Sequence, residues 1–266
     1  RVEARYTIPM EHHNPIEPHA AIAFWDRDEL TLFDKTQGVG GVQRHLASAF
    51  GIRPEQVRVV SPFVGGAFGS SLKPNYYPSL TAMAARMVRR PVKVVYTRTQ
   101  MFTGHGYRPF TVQNVKLGAG RDGRLSVMIH EAGHNTSSFE SFSDATTRYI
   151  KQVYACPNLH APGSMRDGDL LVGWGMATGV WGALQMPASA RVIYRADGTA
   201  RVSSATSDIG PGTYTVMTMI AAEFLGLALE RVKFDLGDSN QPTAPSQGGS
   251  WTTSSVGSAV RGAALA

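Results

Sequence analysis

Two glycine-rich stretches are where backbone groups could do chemistry. Gly65-Gly66-Ala67-Phe68-Gly69-Ser70-Ser71 follows the strand candidate Val57–Phe63, so it reads as a loop leaving a strand. Glycine removes the side chain and lets backbone N–H groups approach an anion closely, which makes this loop a candidate cradle for a phosphate or a cofactor. It is not a P-loop, because no Gly-Lys-Ser/Thr ending is present, and it is not a dinucleotide fingerprint. Taken alone, a tight turn explains it as well. Gln247-Gly248-Gly249-Ser250 is denser, since Thr252, Thr253, Ser254 and Ser255 follow it. Its hydroxyls offer donors to a polar ligand, and a helix expected from Val256 would add N–H groups. A solvated loop with a Ser/Thr helix cap is the alternative.

Other chemically suggestive residues carry less. In His12-His13-Asn14-Pro15-Ile16-Glu17-Pro18-His19 the adjacent histidines point to opposite sides of an extended chain, and the two prolines forbid a helix that would converge them. The spacing also misses the HExxH pattern of zinc sites. A packed turn is expected, and no metal ligand is assigned. Cys156, the only cysteine, allows neither an intrachain disulfide nor a CxxC site, and before Pro157 it reads as a small buried hydrophobe. No Gly-x-Ser-x-Gly elbow of a serine hydrolase occurs.

The elements that must position these loops follow from periodicity. Ala20–Trp25 and Leu30–Lys35 read as a hairpin around residues 26–29. Val42, Leu46, Ala49 and Phe50 have helical spacing, with Gly51 at the stop. Leu80, Ala84, Met87 and Val88 form a second helical face ended by Arg89-Arg90-Pro91, followed by a strand at Val92–Tyr96. Thr111–Gly118 with Leu125–His130, and Arg191–Arg195 with Thr199–Ala205, flank Asp-Gly turns as hairpins. Leu30–Ser61 and Thr199–Leu236 share an order: strand, polar loop, helix, glycine (Gly51 or Gly226), then a strand opening at Val57 or Val232, six residues on in each. An internal duplication would set two glycine loops around one bound group; chance recurrence of a common pattern is the alternative.

Composition limits the function classes. At 266 residues, 42% hydrophobic and 17% charged, the chain can bury one large core or two smaller ones. The net charge of +6 is dispersed, with Arg86, Arg89 and Arg90 the densest group, so nucleic acid is not an expected partner. No apolar run approaches the ~18 residues of a membrane span, and residues 1–20 do not resemble a signal peptide. A cytoplasmic location is expected, or a periplasmic one reached through a partner's export signal.

Taken in order, His12–Pro18, Thr36-Gln37-Gly38, Ser61–Gly69, Tyr107-Arg108-Pro109, Tyr154–Asn158, Gly173-Trp174-Gly175-Met176-Ala177 and Gln247–Val260 resemble the molybdenum-cofactor-binding large subunit of the xanthine dehydrogenase and aldehyde oxidase family, especially the bacterial aldehyde oxidoreductases. The resemblance implies an α+β fold of mixed sheets with helices on one face, built from two related strand–loop–helix–strand units, with a first half over 1–160 and a second over 161–266. It implies that Gln37 donates to an oxo ligand on molybdenum and that Gly66, Ala67, Phe68 and Gly69 line another side of the metal. Gly210, Gly212 and Thr213 would meet the pterin or its phosphate. The family often has a polar residue where Pro211 stands. Gly248, Gly249, Ser250, Thr252 and Thr253 would hold the pterin side.

The resemblance implies molybdopterin as the cofactor and leaves open whether it carries a cytosine dinucleotide extension. FAD and [2Fe–2S] centres would sit on partner subunits, because one cysteine cannot ligate a cluster. The function implied is a hydroxylase that oxidises aldehydes or N-heterocycles with water as oxygen source. Two departures from the family pattern stand out. Asn158 passes almost at once to residues 162–168, where the family has roughly a hundred residues and an active-site arginine, a role that Arg166 fits poorly. A leading small domain and the catalytic glutamate segment are also expected to lie outside residues 1–266. A truncated, non-catalytic cofactor-binding fragment and an unrelated phosphate-binding module are therefore the alternatives.

Overall fold

Hydrophobic alternation places the strands and 3.6-residue periodicity the helices, in a chain that opens with β1 (Val2–Ile8) and the hairpin β2 (Ala20–Asp26) and β3 (Glu29–Asp34). Helix α1 (Val39–Phe50), β4 (Val57–Val60), α2 (Tyr76–Val88), β5 (Val92–Val95) and the short α3 (Gln100–Thr103) follow. Next come β6 (Thr111–Ala119), β7 (Leu125–His134), a short α4 (Ile150–Val153) and β8 (Leu159–His160). The chain ends with β9 (Arg191–Tyr194), β10 (Ala200–Ser203), α5 (Thr213–Leu225), β11 (Val232–Asp235) and α6 (Thr252–Leu265). The computed structural model describes residues 1–138, 146–147, 150–160, 181–182 and 184–266. Among the described residues no helix is long and apolar enough to cross a membrane.

Contacts divide the chain into two compact units. One comprises residues 1–12 and 107–182. Its sheet has the order β1-β6-β7-β8, antiparallel except for the parallel β7–β8 pair, with a bulge at Gly118/Ala119. The expected hairpin at residues 121–123 joins β6 to β7, and Gly123 adopts a left-handed φ of 82°.

The other unit, residues 13–106 and 183–266, holds both glycine loops and both copies of the repeated pattern. In the first copy β3 pairs in parallel with β4, in register Leu30↔Val57, and β2 and β5 extend the sheet to the order β4-β3-β2-β5. In the second, β10 pairs in parallel with β11, in register Ala200↔Val232, and β9 completes the order β11-β10-β9. The resemblance between the copies reaches further than the sequence pattern. Each helix ends on a left-handed glycine (Gly51, φ 64°; Gly226, φ 65°), and each then passes through one 3₁₀ turn before the next strand.

Helices cover one face of each of these two sheets. Leu30, Leu32, Val57 and Val59 bury against Val39, Val42 and Leu46 of α1 and against Tyr77, Ala82 and Ala85 of α2. Val202, Val232 and Phe234 do the same against Met217 and Ala221 of α5 and Val256 and Val260 of α6. Each valine, leucine, methionine or phenylalanine among them contributes ~1.5–3 kcal/mol on burial. The helices α5 and α6 approach closely at Gly257, where an added Cβ would lie 2.9 Å from Ile220 Cδ1.

Candidate functional site

In the unit of residues 13–106 and 183–266, each of the four strands in its two parallel pairs ends in a loop that carries residues the sequence had singled out. Residues 35–38 follow β3, 61–75 follow β4, 204–212 follow β10 and 236–251 follow β11. Ligands of parallel sheets bind beyond the carboxyl ends of the strands, which is where these loops lie. A cavity of about 360 Å³ opens at the other ends of β10 and β11, lined by Arg195, Arg201, Glu230 and Lys233 among others. It is shallow and polar and lies away from every candidate residue, so the chemistry of the loops locates the site.

The loop after β4 is polarised. Three of its carbonyls are taken: Lys35 Nζ donates to Gly66 O at 2.9 Å, Ser70 N to Ala67 O at 3.0 Å and Leu72 N to Gly69 O at 3.1 Å. Among the described residues, no acceptor receives the N–H groups of Gly65, Gly66, Ala67, Phe68 or Gly69. Left-handed φ values at Gly65 (69°), Phe68 (55°) and Gly69 (101°) interrupt the extended chain. Successive N–H groups in such a run form a concave donor surface, a nest for an electronegative atom. Ala67 is buried beneath it, whereas the Phe68 ring is 66% exposed.

Two buried glutamines tie the loops together. Gln37, 2% exposed, bonds Ser71 in both directions: its N–H donates to Ser71 O at 3.0 Å, and its Oε1 accepts from Ser71 N at 3.3 Å. It bonds Gln247 in both directions too, with Nε2 donating to Gln247 O at 2.6 Å and Gln37 O accepting from Gln247 N at 2.6 Å. The Gln247 amide continues the chain, accepting from Ile209 N at 3.0 Å and donating to Thr213 Oγ1 at 2.9 Å. A Cβ on Gly38 would overlap Ser246, and one on Gly248 would lie 2.7 Å from Leu72 Cδ1. Sequence reasoning gave Gln37 a role of its own but Gln247 only its place in a glycine motif, and the part it plays shows only where the two segments meet.

The remaining candidates frame the same region. Gly210 and Gly212 hold left-handed φ of 110° and 85° in open space, where an added Cβ meets nothing within 4 Å. Asp208 already accepts from Gly210 N and Tyr214 N at the head of α5. The hydroxyls of Thr206, Ser207 and Ser70 are buried with no hydrogen-bond partner among the described residues. Gly249 lies beneath the Trp251 ring, and Ser250 (φ 59°) is exposed. Thr252 and Thr253 open α6, whose N-cap residue gives it no side-chain hydrogen bond.

A buried titratable cluster lies behind the first loop. Burial pushes the Asp34 carboxyl up to about 7, although Tyr77 Oη donates to it at 2.7 Å. Burial brings the Lys35 ammonium down to about 8. His19 falls to about 3 through burial, with Lys35 and His105 adding to the effect. His19 Nδ1 lies 3.4 Å from Ser71 Oγ, and its ring is 5.0 Å from that of His105. No group of three or more His, Cys, Asp or Glu converges on a metal position among the described residues. Arg166 and Gly173–Ala177 lie outside the described residues.

Paired strand–helix–strand units closing around glycine loops define a cofactor-binding class of domain. Two molybdopterin cofactor-binding domain families match residues 1–166 and 154–266, and the chain belongs to the molybdenum-cofactor-binding domains of the xanthine dehydrogenase and aldehyde oxidase family. It is 29% identical, over 350 residues, to the aldehyde oxidoreductase molybdenum-binding subunit PaoC of Escherichia coli K12, matching all of this chain and 48% of PaoC. It is 30% identical over 189 residues to the aldehyde oxidoreductase of Megalodesulfovibrio gigas, covering 69% of this chain and 20% of that one. Among solved structures, the Desulfovibrio gigas aldehyde oxidoreductase superposes with a TM-score of 0.82 at 23% identity, over 99% of this chain and 40% of that one.

The chain thus spans about half the length of the PaoC relatives it matches, or less of the others. The PaoC match runs over 350 residues against 266 here, so PaoC carries residues with no counterpart in this chain. The site fits the family's cofactor. A donor nest, buried hydroxyls without partners and glycines opening onto free space suit an oxygen-rich, phosphate-bearing group.

Proposed function

We propose that this chain is the cofactor-binding core of a molybdenum hydroxylase that oxidises aldehydes or N-heterocycles with water as oxygen source. The observation that carries this reading is the loop after β4, where the carbonyls of Gly66, Ala67 and Gly69 are bonded and, among the described residues, no acceptor holds the five successive N–H groups of residues 65–69. In this reading Gly66, Ala67, Phe68 and Gly69 line the metal end of the cofactor. Gly210, Gly212 and Thr213 meet the pterin or its phosphate. Gly248, Gly249, Ser250, Thr252 and Thr253 hold the pterin from the other side. The first half runs over 1–160 and the second over 161–266. Molybdenum carried by the bound pterin would supply a Lewis acid and a two-electron sink. FAD and [2Fe–2S] partner subunits would take the electrons onward, since one cysteine cannot hold a cluster.

Gln37 serves two ends in this arrangement. One hydrogen of its amide NH₂ goes to Gln247 O, and the second is left for a ligand of the cofactor. The test uses the full-length protein with its partner subunits, assayed with an aldehyde panel and a purine panel and an artificial electron acceptor. Gln37→Ala should lower turnover about 10²-fold while molybdenum content stays measurable, because one preorganised donor is lost. Normal turnover with only a lowered melting point would make Gln37 purely structural. A parental protein free of molybdenum and pterin would overturn the whole reading. Acid hydrolysis releasing CMP would mark the cytosine dinucleotide form.

A further inference from the structure

Lysine is among the side chains least often buried, because its ammonium is strongly hydrated. Lys35 is nonetheless 6% exposed, at the end of β3 and directly behind the polarised loop. Its Nζ donates to Gly66 O, the carbonyl of the peptide whose N–H belongs to Ala67. A backbone N–H or a hydroxyl would satisfy that carbonyl without a buried charge. Glu17 and Asp34 both favour the charged ammonium, but the hydrogen-bond acceptor that it reaches is Gly66 O. Asp34 accepts from Tyr77 and is held toward its neutral form by burial, while Glu17 is an exposed residue whose stem packs on Gly65, 2.8 Å from where a Cβ would stand. His19, another titratable group facing this interior beside His105 and Tyr77, is held toward its neutral form by burial.

We propose that Lys35 is a positioning residue for the cofactor: it holds the loop from its carbonyl side, turns the N–H groups of residues 65–69 outward, and adds a fixed positive charge behind them. The ammonium, the Gly66 carbonyl and the Ala67 N–H belong to one polarised chain, so the cation strengthens the donor that faces the ligand. This inference rests on the cofactor reading above and assigns a residue outside the ligand-facing set.

The test uses the full-length protein purified from molybdenum-replete cells. Lys35→Gln keeps a neutral donor for Gly66 O, and Lys35→Met keeps only the stem. Molybdenum and pterin per chain are measured on the monodisperse fraction after gel filtration at low and high salt. Lys35→Gln should retain about fivefold less cofactor than the parental protein, as expected for loss of one charge-assisted interaction. The melting temperature of its cofactor-stripped form should stay close to the parental one. Lys35→Met should lose both cofactor and stability. A Lys35→Gln protein loaded within twofold of a loaded parental protein would overturn the Lys35 role alone, since a merely structural lysine is replaceable by a neutral donor. An unloaded parental protein would overturn it together with the cofactor reading. The Lys35→Gln measurement decides the matter even where Lys35→Met does not fold.

Discussion

Asp34 and Lys35 are sequence neighbours whose charged forms are both penalised by burial, on opposite sides of neutrality. The folded chain holds the Asp34 proton up to about pH 7, against an ordinary value of 3.8, so it binds more protons than the unfolded chain between those limits. Stability contributed by this group is therefore full below about pH 4 and is lost as pH rises through about 7. Asp34→Asn, which keeps an acceptor for Tyr77, should stabilise the protein progressively across that window, by at most about 4 kcal/mol above pH 7. Urea titrations at pH 5 and pH 8 check this, and an equal gain at both values would exclude a buried, pH-responsive carboxyl. Little of this cluster is legible in the sequence. Asp34-Lys35 at a strand end looks like ordinary surface charge, and only packing by Tyr77 and the 65–72 loop buries it. Gln37 was legible because its neighbours belong to a family motif, whereas Gln247 offered only its place at the edge of one.

At the scale of elements, caps and hairpins were the readable part. The helix expected to stop at Gly51 does so, with the Gly51 N–H bonding back to Ala47 and Ser48 carbonyls in the left-handed conformation that closes a helix. Nothing lies within 4 Å of an added Cβ there, so Gly51→Ala isolates the backbone cost, expected at about 1 kcal/mol in chemical denaturation. A loss above 3 kcal/mol would reveal packing that the structure does not contain. The strand expected over Val57–Phe63 ends instead at Val60. Ser61 N turns to Gly237 O, and Pro62 has no N–H to continue a ladder. Strand β1 went unread because its pattern is mostly exposed and its order depends on pairing with β6, more than a hundred residues away. No local signal reports such a partner.

At the scale of the whole chain, the repeated unit was legible as an order of elements and spacings, but how the copies meet was not. Their union is built from contacts with no periodicity. Segment 237–239 runs along β4, with Ser61 N on Gly237 O and Ser239 N on Val59 O, and Arg58 pairs with Asp238 at 2.6 Å. At its centre, Gln37 and Gln247 join residues 210 apart in sequence. Gly38 is glycine for space alone, since its φ of −158° suits any residue while a side chain would strike Ser246.

The glutamine pair has a consequence for the order in which the chain folds. Each copy can assemble its strand–helix–strand core through contacts within a few tens of residues, whereas the pair waits for two distant segments to meet, so it forms late. An interaction absent from the transition state changes the rate of leaving the native state and not the rate of reaching it. Gln37→Ala removes the amide that reaches across to Gln247 O and also accepts from Ser71 N, a cost of about 1–3 kcal/mol for the groups left unsatisfied. Stopped-flow traces should show unfolding accelerated about tenfold and refolding unchanged. A slowed refolding limb would instead place the meeting of the two copies at the start of folding, making the joint, and not either copy, the nucleus.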